Sequence, residues 1–142
     1  MKTHLVIHHS ATKDSDTYSW QAIRQYHVET NGWDDIGYHI GVENIGGRYE
    51  IGLGRPLLSR AAAAYQENMN TLGVHVCFVG NFDIDEPPKE MLQFAVPHLR
   101  DICIALAIPI DSEHVIGHSV VAPKTCPGVK FDMTSFRTLM RG

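Results

Sequence analysis

Apolar residues fall along this chain in short, separated runs that switch between the two periodicities of regular structure. Leu5-Val6-Ile7 runs into the stretch His9-Ser10-Ala11-Thr12, the pattern of a short buried strand that ends in a loop. Residues 14 to 18 are polar turn formers. Beyond them Trp20, Ile23 and His27 recur at helical spacing, with Ser19 as the N-cap and Asn31-Gly32 as the stop. Ile36, Tyr38, Ile40 and Val42 then alternate with Gly37, His39 and Gly41, which predicts a strand. Asn44-Ile45-Gly46-Gly47 is its turn into a partner strand through Tyr49 and Ile51.

A loop from Gly52 to Pro56 leads to Ala61-Ala62-Ala63-Ala64, a short helix at most, and Val74 to Val79 supplies the next apolar strand. After Pro87-Pro88, the residues Met91, Leu92, Phe94, Ala95, Leu99, Ile102, Ala105 and Leu106 fit a long buried helix, bent at Pro97. His114-Val115-Ile116-Gly117 predicts a short strand, followed by a loop from His118 to Gly128 and a last helix carrying Phe136, Leu139 and Met140. The resulting order, β, α, β, β, β, α, β, α, is that of a single α/β layer fold.

Composition narrows the function more than the fold. A chain of 142 residues with 44% hydrophobic and 20% charged residues is one domain with a core, not a disordered segment. Twelve basic and sixteen acidic residues give a net charge of -4 with no stripe of Lys or Arg, which argues against a nucleic-acid partner. Only three apolar residues precede the first histidine pair, too few for a signal peptide, so synthesis and folding in the cytoplasm are expected. The longest mostly apolar run, Ile102 to Ile110, contains Pro109 and is far short of the roughly 20 residues that span a bilayer. Cys77, Cys103 and Cys126 are odd in number and widely spaced, as reduced thiols are. Histidine is in excess, with nine residues.

One loop turns that excess into chemistry. His118 and Cys126 are eight residues apart in a segment stiffened by Pro123 and Pro127, and such a loop can hold an imidazole and a thiolate at zinc-binding distance. One further histidine would complete a three-ligand site with its fourth position open. His8 and His9 are the best placed, at a strand end and on opposite faces, so only one of them can face a metal. Spacing leaves the choice between them open.

Five segments occur in order: Ile7-His8-His9-Ser10-Ala11-Thr12, Gly32-Trp33-Asp34-Asp35-Ile36-Gly37-Tyr38-His39, Gly54-Arg55-Pro56, Val79-Gly80-Asn81-Phe82, and Gly117-His118 through Lys124-Thr125-Cys126-Pro127-Gly128. Together they resemble the zinc-dependent N-acetylmuramoyl-L-alanine amidases of the phage-lysozyme and peptidoglycan-recognition-protein type. The resemblance implies one amidase domain over residues 1–142, with a central mixed β-sheet flanked by helices and no separate wall-binding domain. It makes His8, His118 and Cys126 the ligands of one zinc ion and His9 a neighbour, and it sets Tyr38 and Lys124 beside the scissile carbonyl. The implied reaction cleaves the amide between the lactyl group of N-acetylmuramic acid and the L-alanine of the stem peptide. The implied partner is peptidoglycan or a muropeptide, bound by a monomer with no nucleic acid and no membrane.

A phage or prophage endolysin acting on the cell wall is the reading this branch favours. The alternatives are a cytoplasmic amidase of muropeptide recycling, whose third ligand is usually aspartate, and a non-catalytic binder, which typically lacks the cysteine. Two departures from the family stand out. Ala63 lies where many relatives carry a substrate-contacting histidine. His75 lies where glycine is common, and it either stands in for that histidine or faces solvent. Of the remainder, His39 and His27 are expected to be structural, Trp33 to pack a corner, Asp34 or Asp35 to cap a turn, and Cys77 and Cys103 to be buried.

Overall fold

The computed structural model describes residues 1–14 and 19–142; most of the polar turn expected at 14 to 18 lies outside the described residues. Five strands form one mixed sheet: β1 (His4–His9), β2 (Ile40–Ile45), β3 (Arg48–Leu53), β4 (Gly73–Phe78) and β5 (Val115–Gly117). Their order is β3-β2-β4-β1-β5. β1 runs parallel to β4 and β5, β2 runs parallel to β4, and the β2–β3 hairpin supplies the antiparallel edge. The helices are α1 (Ser19–Gln25), α2 (Met69–Leu72), α3 (Lys89–Leu106) and α4 (Met133–Arg141), and a π-helical turn, Tyr26–Thr30, extends α1.

β1 reads as an unbroken apolar run because it is a central strand, covered on both faces. Leu5 and Ile7 point into the larger core with Val74, Val76 and Phe78, where Met91, Ala95 and Leu99 of α3 and Phe136 and Met140 of α4 close over them. Val6 and Ile116 point the other way, against Ala64 and Met69. Trp20 of α1 covers the same second face beside Ile36 and Cys77. A Cβ at either Gly41 or Gly52 would run into the Trp20 ring, so the glycines of the hairpin are what let α1 sit flat on it. The Glu43 carboxylate accepts a 2.7 Å hydrogen bond from the Trp20 N–H, satisfying a free donor at the start of α1 from the sheet. Ser19, the expected cap, is instead the helix's first residue.

Three boundaries differ from the pattern. The strand expected from Ile36 begins only at Ile40, so Tyr38 and His39 lie in an irregular approach to β2. That approach is spent on other contacts: Gly37 accepts from the Ala62 N–H, and Tyr38 and His39 accept from the N–H groups of Arg55 and Gly54. Asn44 and Ile45, placed by pattern in the turn, are paired with Tyr49 and Arg48, and the turn is Gly46-Gly47 alone. Both glycines have positive φ, 60° and 83°, as a two-residue hairpin turn of the primed kind requires. The four alanines form no helix; the helical turns follow them, at Gln66–Asn68 and in α2. Ala63 and Ala64 instead donate their N–H groups to the Asn70 side chain, at 2.8 Å each. α3 runs unbroken across Pro97.

Candidate metal centre and active site

The end of β1 carries His8 and His9 on opposite faces, and the faces are unlike. His9 lies on the side of Phe82, and its Nδ1 accepts the Phe82 N–H at 3.1 Å. His8 shares the Val6 face and is 1% exposed. β5 ends beside β1, and the chain turns at Gly117 into His118, whose ring centroid is 4.6 Å from that of His8. The same loop returns so that the Ser119 N–H reaches the Cys126 carbonyl at 2.7 Å. This closure sets Cys126 Sγ 3.7 Å from His8 Nδ1 and 3.4 Å from the His9 backbone nitrogen. One ligand atom each from His8, His118 and Cys126 lies within 4.8 Å of the others.

Two nitrogens and one sulfur are the donor set of a borderline-soft divalent ion. Two donors bonded to zinc at ordinary lengths and a tetrahedral angle stand about 3.6 Å apart. The 3.7 Å between Sγ and Nδ1 fits that span. Both imidazoles are buried and Cys126 is half-buried, which shapes their protonation. Burial, followed by the neighbouring His75, His118 and His9, holds His8 well below the ordinary imidazole range. Burial and then Lys124 take His118 down to about 4. Both rings are therefore neutral at physiological pH, the form in which imidazole binds metal. Burial pushes the Cys126 thiol up to about 11 in the metal-free chain.

A cleft of about 370 Å³ opens over the cluster, lined by His8, Trp33, Tyr38, His118, Lys124 and Cys126 among others. A second cleft, of about 520 Å³, shares Trp33, Ala62, Ala63, His118 and Lys124 with it and continues past Tyr65 and Gln66. Tyr38 stands at the inner wall, its ring 5.2 Å from that of His8 and stacked on Trp20 at 6.1 Å. Burial, together with the nearby Cys77 and Cys126, raises its hydroxyl well above the ordinary range, so it keeps its proton. Lys124 is exposed at the rim. The structure thus brings all five sequence-predicted residues to one cleft. Ala63 lines both clefts, leaving open the volume that a larger side chain would fill.

The residues read as structural have identifiable partners. His39 accepts the His75 N–H on Nδ1 and donates through Nε2 to the Ser59 carbonyl. His27 accepts the Gly37 N–H at 2.9 Å and packs on Trp33. Asp35 accepts the Ile36 N–H and pairs with Arg24. Cys77 and Cys103 are buried free thiols. His75 is the correction. It neither faces solvent nor replaces a histidine at Ala63; it is 0% exposed, with Nδ1 2.8 Å from His8 Nε2. Its place in the apolar run of β4 signalled burial, but only the pairing of β4 with β1 puts it on the His8 side of the sheet.

Comparison with known proteins places this arrangement. Residues 2–129 match the family described as N-acetylmuramoyl-L-alanine amidase. The endolysin of Enterobacteria phage T3 is 33% identical over 135 residues, covering 91% of this chain and 81% of the phage protein. Among solved structures, a mutant Drosophila PGRP-LB in complex with tracheal cytotoxin superposes with a TM-score of 0.76 at 25% identity, over 92% of this chain and 77% of that one. The amidase LysC of Clostridium intestinale URNW shares the fold, with a TM-score of 0.79 at 20% identity over 99% and 85% of the two chains.

Proposed function

This chain belongs to the N-acetylmuramoyl-L-alanine amidase family, and on that premise we propose that it is an endolysin-type zinc amidase of peptidoglycan. It cleaves the amide between the lactyl group of N-acetylmuramic acid and the L-alanine of the stem peptide. His8, His118 and Cys126 hold one zinc ion. The observation that carries this reading is the cluster of two neutral imidazoles and a thiol at the base of the cleft. When bound there, zinc supplies Lewis-acid polarisation of a carbonyl and acidifies water.

The remaining chemistry falls to the chain itself. Negative charge builds on the scissile carbonyl oxygen as the amide carbon becomes tetrahedral, and the Lys124 ammonium at the rim is the cation placed to stabilise it. Tyr38, protonated and walled in by Trp20 and His8, orients the attacking water or passes a proton to the leaving nitrogen. The continuing cleft over Ala62, Ala63 and Tyr65 has room for the stem peptide. A muropeptide-like ligand is supported by the neighbour solved with tracheal cytotoxin.

Digestion of purified peptidoglycan tests the proposal. New N-terminal alanine amines, no new reducing sugar ends and loss of the reaction on chelation are the expected results. Reducing ends would show a glycosidase and overturn it, and activity that survives complete chelation would overturn the metal.

A further inference from the structure

Behind the cluster, His8 Nε2 lies 2.8 Å from His75 Nδ1, and His75 Nε2 lies 2.7 Å from the Met69 carbonyl oxygen. We propose that His75 is a positioning residue: it fixes the ring tautomer of His8 so that Nδ1, bare of its proton, faces the metal. The inference rests on the zinc site proposed above.

The hydrogen-bond partners fix where the protons lie. A carbonyl oxygen only accepts, so the contact with Met69 puts a proton on His75 Nε2. A second proton on His75 would create a cation in a ring that is 0% exposed and whose hydrogen-bond partners among the described residues are the His8 imidazole and the Met69 carbonyl, neither of them anionic. His75 Nδ1 is therefore the acceptor of the 2.8 Å bond, and His8 Nε2 is its donor. A neutral His8 with its proton on Nε2 has its lone pair on Nδ1, the nitrogen that faces Cys126 Sγ at 3.7 Å. Were the tautomer reversed, a proton would stand where the ion belongs.

The surroundings hold this relay in place. In the parallel register His75 sits opposite Val6, so its ring reaches diagonally along the sheet to His8. A Cβ at Gly73 would come 2.8 Å from His75 Nε2, so the bare first residue of β4 is what admits the ring. The His75 N–H is held in turn by His39 Nδ1 at 2.9 Å. Met69 is next to Asn70, whose side chain holds Ala63 and Ala64 in the cleft wall. One short segment therefore supports both the substrate wall and the orientation of His8. An acceptor on the far nitrogen of a metal-bound imidazole also raises its basicity, an effect usually worth 10- to 100-fold in metal affinity.

Ring-nitrogen ¹⁵N spectra of the metal-free protein, assigned with His8 and His75 variants, read the tautomers directly. His8 should carry its proton on Nε2 and His75 on Nε2. Zinc affinity, measured against a chromophoric chelator, should fall about 10- to 100-fold in His75→Phe. It should be largely restored in His75→Asn, whose Oδ1 can accept from His8. A His8 proton found on Nδ1 in the wild-type chain overturns the positioning role, as does a folded His75→Phe protein with unchanged zinc affinity. If His75→Phe does not fold, the wild-type spectrum decides. A wild-type chain that binds no zinc overturns the metal reading itself, whereas zinc binding with the reversed tautomer overturns the positioning alone.

Discussion

Cys126 is held at the cluster by the return of its own loop, through the Ser119 hydrogen bond, and not by a strand. Its replacement by serine leaves that backbone closure in place and removes the soft donor, so Cys126→Ser should fold normally and lose stoichiometric zinc, measured by metal analysis after dialysis. Lys124 poses the complementary case. It is exposed at the rim and belongs to no part of the core. Lys124→Ala should keep its zinc and its stability while kcat on peptidoglycan falls at least about tenfold, the usual effect of losing one group that stabilises a developing oxyanion. An equal loss of zinc and rate would mean that Lys124 acts on the fold and not on the reaction. Cys126 and Lys124 were legible from the spacing and motif of one loop. His75 was not, because its meaning depends on which strand lies beside β1.

Among the elements, α1 is the one that the sheet shapes most directly. Its apolar stripe is short, and Trp20 gains its seat only because Gly41 and Gly52 present bare backbone beneath the ring. Gly41→Ala should cost about 1–3 kcal/mol by overpacking, seen as a lower denaturation midpoint with unchanged slope. Because the Tyr38 ring stacks on Trp20, the same variant should also lower activity. Most elements followed from hydrophobic period: β1, β4, α3 and α4 were recognisable from apolar runs and helical spacing. The segment 36–39 misled because alternation of apolar residues is a signal for an extended backbone, and an extended backbone need not pair in a ladder. Here its carbonyls serve the loop at 54–62 instead. The four alanines, read as a short helix at most, form none, because two tethers from Asn70 outweigh their helix propensity.

For the molecule as a whole, buried histidine links stability to pH. Burial, with Lys2 and Arg55 adding to it, lowers His39 to about 4, while in the unfolded chain it titrates near 6.5. Between those values the unfolded state binds the proton and the folded state does not, so stability falls as pH drops through that window and is intact above it. Protonation of Nδ1 would also break the bond from the His75 N–H. Urea midpoints of the metal-free protein should therefore decline from about pH 6.5 toward pH 4. His39→Asn, which keeps an acceptor for that N–H, should decline less steeply over the same range. A decline of equal steepness in the two proteins would assign the acid sensitivity elsewhere.

Residue chemistry and local periodicity already contained the α/β class and the candidate donors His118 and Cys126 on a stiff loop, while the resemblance of the five motifs pointed to the family. Both are properties of short stretches of chain, and each can be read without knowing what lies opposite. The choice of His8 over His9 by geometry, the closure of Tyr38 and Lys124 around one cleft, and the place of His75 behind His8 came from the sheet. Strand order β3-β2-β4-β1-β5 brings β4 against β1 across the 63 residues of chain that lie between His9 and Gly73. Side-chain parity then sends His8 to the face that holds His75 and Tyr38, and His9 to the one that holds Phe82. No local pattern encodes which strand becomes a neighbour, because that is settled by burying both faces of the sheet at once.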